Sequence, residues 1–258
     1  MIETILYGPD TVIIGTLLLI YGSFPLFLLW LVFLPSVKPL VAGFHGVTPT
    51  FFSAVITMFA FTAAFLGASV WSAFQANNDS VKRERLALLS YIELVDNSPS
   101  LQNEGLQSLT KEYIRSALDV EWPLLENEKT SPITQNAFDK LFKKNLEVAS
   151  KNGSSQIASS LTRSVESLQN ARFTRIGFRW HNVETLRWAS LILLGLLAQL
   201  STVIIHLDKP RKPMALALTI ITTMILLVTT LIALSVDSYS GNITVSKQPL
   251  ENAYESIK

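Results

Sequence analysis

The side chains that most often carry chemistry are few here and poorly spaced for it. The three histidines are His45, His181 and His206. None lies three or four residues from another, so no helix face can present two imidazoles to a zinc ion. There is no cysteine, which removes thiolate nucleophiles, thiolate metal sites and disulfides. The glycine-rich phosphate loops and the GxSxG nucleophile elbow are also missing from the sequence. No Asp or Glu falls inside the long apolar stretches, and Asp237 lies at the edge of the last one. A proton relay of the pump kind therefore has no obvious carrier. These residues point away from an enzyme and call for neither cofactor nor metal.

The elements that hold these residues are dominated by lipid-compatible sequence. Hydrophobic residues make up 49% of the 258-residue chain and charged residues 16%, against about 25% charged in ordinary soluble domains. Residues 11–37, 47–78, 188–207 and 214–236 contain no Asp, Glu, Lys or Arg. A helix needs about 20 mostly apolar residues to cross a bilayer core, and each stretch supplies them. Segments such as LILLGLL at 191–197 do not alternate polar with apolar, as barrel strands would. The expected fold is an all-α integral membrane protein with four transmembrane helices, at 11–37, 50–76, 187–207 and 214–236. A helical domain, 77–186, is inserted between the second and third, and a tail follows at 237–258. The first span is expected to be retained, because no Lys or Arg precedes Lys38 to form a signal-peptide n-region.

Basic residues set the expected orientation. Lys82, Arg83 and Arg85 follow span two, and Arg172, Arg175, Arg179 and Arg187 precede span three. The opposite loops hold only Lys38, Lys209, Arg211 and Lys212. The positive-inside rule places the inserted domain and both termini in the cytoplasm. The inserted domain itself reads as helix. Span two is expected to run on past Leu94 until Asn97, Ser98 and Pro99 stop it. Residues 101–118 carry apolar positions at helical spacing. Trp122-Pro123 closes that helix or begins a new turn, and Ser131-Pro132 fits an N-cap and first turn. A final helix from about Ser154 is expected to feed into span three. Acidic and basic residues nearly balance over 77–182, which argues against a nucleic-acid module and suits charge pairing along helices, such as Lys140 and Lys144 beside Glu147.

Span two carries the most specific pattern, FFSAVITMFAFTAAFLGASVW at 51–71. Ala60, Ala64, Ala68 and Ser72 form a small-xxx-small series, with Ala63 and Gly67 as a second, and small residues let helices approach closely in lipid. Ser53, Thr57, Phe61 and Phe65 form a neighbouring stripe. Around a symmetry axis it would give rings of hydroxyls followed by rings of Phe, and apolar rings gate pores by dewetting. Packing of the same Phe residues inside one subunit is the competing reading. Lys82, Arg83 and Arg85 would form a basic ring at the inner mouth, or serve only as membrane anchors.

Several segments, taken in order, resemble a bestrophin-like family of bacterial membrane proteins. They are VWSAFQANND at 70–79, KRERLALLSY at 82–91, YIRSALDVEWPLL at 113–125, LQNARFTRI at 168–176 and DSYSGNITVS at 237–246. Glu121, Trp122 and Pro123 match the family's EWP element, and Arg172 and Arg175 its paired arginines. Asp237 and Gly241 match its aspartate-x-x-x-glycine tail. These seven residues are expected to form a structural junction, with Trp122 anchoring one helix on another and Arg172 and Arg175 as partners for Glu121. The layout of two spans, a helical insert and two spans is similar to that of bestrophins, pentameric anion channels whose second span lines an apolar neck. The resemblance implies a homo-oligomeric, anion-conducting channel in a bacterial inner membrane, a pentamer by that layout. A non-conducting scaffold or sensor whose cytosolic helices bind a partner is the alternative.

Overall fold

A computed structural model describes residues 6, 8–34, 49–102, 104–125, 130–151, 155–177, 185–207, 209–239 and 243–257. Among them all regular structure is helical: α1 (Asp10–Val32), α2 (Pro49–Asp96), α3 (Leu106–Ser116), a π turn (Ala117–Glu121), α4 (Trp122–Leu125), α5 (Pro132–Lys151), α6 (Gln156–Gly177), α7 (Thr185–Ile205), α8 (Arg211–Leu234) and α9 (Gln248–Glu255). Four helices, α1, α2, α7 and α8, are long and apolar enough to span a membrane. His45, Gly241 and the expected junction of α6 with the third span lie outside the described residues, as do His181 and the end of the first span.

The chain divides into two compact units. The first comprises Met1–Ser72, Asn182–Asp237 and Gly241–Ile243. Here α1, α7 and α8 pack on one another. Their core contains Ile13, Leu17, Tyr21, Leu191, Ala198, Ile225 and Ile232, and α2 adds Phe59, Ala63 and Leu66. The small side of α2 allows close packing, since a Cβ on Gly67 would lie 3.5 Å from Ile232. The outward faces of α1 and α8 are large and apolar, with Leu19, Leu26 and Trp30 on one and Leu216, Leu227 and Leu231 on the other. Such surfaces match a hydrocarbon solvent.

The second unit comprises Ala73–His181, Ser238–Ser240 and Thr244–Lys258. α2 is a single helix of 48 residues. At about 1.5 Å per residue it is more than twice as long as a ~30 Å hydrocarbon core. It ends at Asp96, one residue before Asn97. Its distal half presents Val81, Leu88, Tyr91, Ile92 and Val95 to a core shared with α3, α5 and α6. Gly105, at φ 73°, precedes α3 in a left-handed conformation that glycine adopts without steric penalty. Ser131 caps α5, its Oγ accepting from the Thr134 amide at 3.1 Å.

Two features had no counterpart in the sequence reading. The segment read as a tail forms α9, whose Leu250 and Ala253 are buried with Val245 and Ile257 in the core of the second unit. The end of α3 widens into a π turn, in which the Trp122 amide donates to the Ala117 carbonyl. Pro123 explains the widening. Its ring would clash with the carbonyl four residues back in a regular helix, and a wider turn relieves that clash. The surface pairs also differ in detail. Lys144 and Lys151 flank Glu147 at 3.3 and 2.9 Å, whereas Lys140 reaches across to Glu112 at 2.9 Å.

Candidate functional site

Two sets of residues stand apart from ordinary packing, one in each unit. In the membrane unit it is the outward face of α2. Phe59, Ala63 and Leu66 hold α2 to its own chain. At about 100° per residue, Thr57 and Phe61 lie on nearly the opposite side of the helix from Phe59. Ser53, Thr57, Phe61 and Phe65 are all exposed, Phe61 at 58% and Phe65 at 75%. Ala60, Ala64, Ala68 and Ser72 are exposed beside them. Among the described residues, no core of this chain includes Phe61 or Phe65. Only 17% of the apolar stretch of α2 is buried, against 28% for α1 and α8 and 44% for α7. This face is rich in Ala, Ser and Thr, unlike the Leu-rich outward faces of α1 and α8. The Ser53 hydroxyl donates to the Thr50 carbonyl at 2.7 Å and the Thr57 hydroxyl to the Ser53 carbonyl at 2.9 Å.

The three basic residues that follow on α2 differ from one another. Lys82 is exposed and pairs with Asp79 at 3.2 Å. Arg83 is exposed, and Arg85 is half-buried with its Nε enclosed and lacking a hydrogen-bond partner.

In the second unit, α2, α3, the π turn, α5 and α6 converge on a buried cluster of ions. Glu121 leaves the π turn fully buried and accepts from Arg172 Nη2 at 2.6 Å and from Arg175 Nη2 at 2.7 Å. Arg175 also reaches Glu84 of α2 through Nε, and through Nη2 at 3.3 Å. Tyr113 of α3 donates its hydroxyl to the same carboxylate. Arg172 Nη1 donates to Gln135 Oε1 of α5 at 2.5 Å. Two carboxylates thus face two guanidiniums, and the four charged groups balance. Burial opposes the charge on Arg175, but Glu84 and Glu121 outweigh it and hold the guanidinium's pKa well above its ordinary value. Burial, and then the Glu84 charge, push the Tyr113 phenol well above its usual range, so it stays a neutral donor. Aromatic rings close the cluster: Phe138 lies 5.6 Å from the Arg172 guanidinium and Trp122 lies 6.0 Å from that of Arg175.

Of the residues singled out in the sequence, Glu121, Trp122, Arg172 and Arg175 come together. Pro123 acts through the π turn. Asp237 is buried at the end of the first unit, beyond α8. Immediately after it, Ser238 accepts from Asn77 Nδ2 at 2.8 Å. Tyr239 stacks edge-on to Trp122 at 5.6 Å and donates its hydroxyl to the Arg175 carbonyl at 3.3 Å. Glu84, Tyr113 and Gln135 were missed. Glu84 sits in a KRER run that reads as a solvated face.

The chain matches the Bestrophin-like domain over residues 19–250; it is a membrane protein belonging to the bestrophin-like family. No curated protein and no solved structure matches it.

Proposed function

We propose that the protein is a homo-oligomeric ion channel, conducting anions, whose pore is lined by the second transmembrane helix. The observation that carries this reading is the outward face of α2. It lies opposite the face that binds its own chain, and it consists of small, hydroxyl and Phe side chains. Among the described residues of a single copy it stays exposed. Small residues favour close helix approach in lipid, and Phe61 and Phe65 would ring a nearly dry constriction. The bestrophin layout favours a pentamer. Arg83, with Lys82 and Arg85, would supply positive potential at the inner mouth and concentrate anions. The residues around Glu121 serve as a structural junction in this reading. The basic flanks support a cytoplasmic side for the inserted domain and both termini, in a bacterial inner membrane.

One observation favours the alternative of a non-conducting scaffold or sensor. The hydroxyls of Ser53 and Thr57 are already satisfied by backbone carbonyls of their own helix, so they need no water-filled pore. The two readings separate in one experiment. The mass of the purified protein in detergent gives the number of copies, and chloride efflux from liposomes holding the same preparation tests conduction. An oligomer with efflux above empty liposomes supports the channel. An oligomer that never conducts supports the scaffold.

A further inference from the structure

Inside the membrane unit, away from the outward face of α2, lies a polar group of residues that neither reading of function uses. It begins with Pro25, in the middle of α1. Proline has no amide hydrogen, so the carbonyl four residues earlier loses its helical partner. That carbonyl belongs to Tyr21. In hydrocarbon no water replaces the missing bond, and an unpaired carbonyl is costly. Gln199 of α7 answers this need. Its Nε2 donates to the Tyr21 carbonyl at 2.9 Å, and also to Thr222 Oγ1 of α8 at 2.9 Å. One amide group therefore ties α1, α7 and α8 at the point where the proline opens α1.

That arrangement consumes both hydrogens of the Gln199 amide and leaves its oxygen. Gln199 is fully buried, and its Oε1 has no hydrogen-bond partner. The Tyr21 side chain is fully buried as well, and its hydroxyl also lacks a partner. Its ring rests against Gly195, one helical turn before Gln199 on the same face of α7. A Cβ at position 195 would lie 2.7 to 3.1 Å from the ring and hydroxyl of Tyr21, so glycine is what admits the phenol here. An acceptor without a donor and a hydroxyl able to donate are thus both buried where α1 meets α7, within one turn of α7. Buried polar groups in folded proteins are nearly always paired with protein or with ordered water, and enclosed waters occur where polar groups of this kind are otherwise orphaned.

We propose that the α1–α7–α8 bundle contains an internal water-binding site at the Tyr21 hydroxyl and the Gln199 Oε1. Water donates to the amide oxygen and accepts from the phenol, satisfying the two polar atoms that the side chains leave unpaired. The site does not depend on span two or on conduction.

X-ray hydroxyl-radical footprinting of the full chain in lipid nanodiscs tests it, because radicals form where water is held, and aromatic side chains beside such water are modified even when buried. Tyr91 is the reference. It is equally buried, but its hydroxyl donates to Asn145 Oδ1 at 3.0 Å. The expected result is modification of Tyr21 several-fold faster than of Tyr91, with the rate at position 21 falling in Tyr21→Phe and Tyr21 itself reacting more slowly in Gln199→Met. Equal rates for Tyr21 and Tyr91 in the unaltered protein overturn the site. So does fast modification that neither substitution changes, since that pattern reports bulk solvent entering the bundle. The unaltered protein gives the first comparison, so the test stands even if a variant does not fold.

Discussion

Arg175 and Glu121 are 54 residues apart in sequence, yet Nη2 of one lies 2.7 Å from Oε2 of the other, and neither side chain has any exposure. A buried pair of this kind is a constraint more than a source of net stability, because removing two charges from water costs much of what their attraction returns. Its strength shows when one partner is taken away. Glu121→Gln or Arg175→Gln should each destabilise the protein by about 3–5 kcal/mol, since each leaves an uncompensated buried charge. The double mutant should lose clearly less than the sum. Thermal or chemical denaturation checks this, and additive losses would mean that the two side chains are not coupled.

The same cluster predicts a pH dependence. The folded pKa of Tyr113 is raised, first by burial and then by Glu84. The fold therefore favours the neutral phenol. The stabilisation is fully present below the unfolded value of about 10 and is lost as pH rises through the folded value. Tyr113→Phe removes this titration, so the unaltered protein should lose stability above about pH 10 more steeply than the variant. Melting temperatures measured across alkaline pH check it, and parallel curves would contradict it.

Much of the fold could be read from the chain, because charge-free apolar runs of span length have few other uses in water or lipid. The junction residues stood out through the family resemblance, Glu121 in its EWP element and Arg172 and Arg175 at its paired arginines. Glu84 did not, since three basic neighbours made it look solvated. The π turn was hidden because Trp122-Pro123 admits either a stop or a continued helix. α9 was hidden because Leu250 and Ala253 are too few to announce an amphipathic face. Gln199 looked like one polar residue in an apolar run. Pro25 was the available signal, as it frees the carbonyl that Gln199 satisfies.

The side on which the second unit lies is open to direct test. Ser159 is exposed on α6. A cysteine there, in a chain with no other, should be protected from an impermeant maleimide in intact cells and react after the membrane is opened. Strong labelling from outside would reverse the orientation.

The small residues on the outward face of α2 should hold copies together. Ala60→Leu with Ala64→Leu adds bulk where a single chain has open space, so the subunit should still fold. The oligomer should dissociate or change size. Leu227→Ala, on the lipid-like face of α8, should leave its mass unchanged. Native mass measurement in detergent distinguishes these outcomes, and an unaltered oligomer in the alanine-to-leucine variant would move the interface elsewhere.

The central claim, a pore lined by α2, is tested most directly by chloride efflux from liposomes containing Phe61→Ala, alongside the unaltered protein and Leu227→Ala. Phe61 is exposed and takes no part in the core of its own chain, so trimming it should leave the subunit intact. A dry ring of Phe should become wet when the rings are removed. The account predicts faster efflux for Phe61→Ala than for either comparison protein. Efflux from Phe61→Ala that stays at the level of empty liposomes, in a preparation shown to be oligomeric, would contradict it.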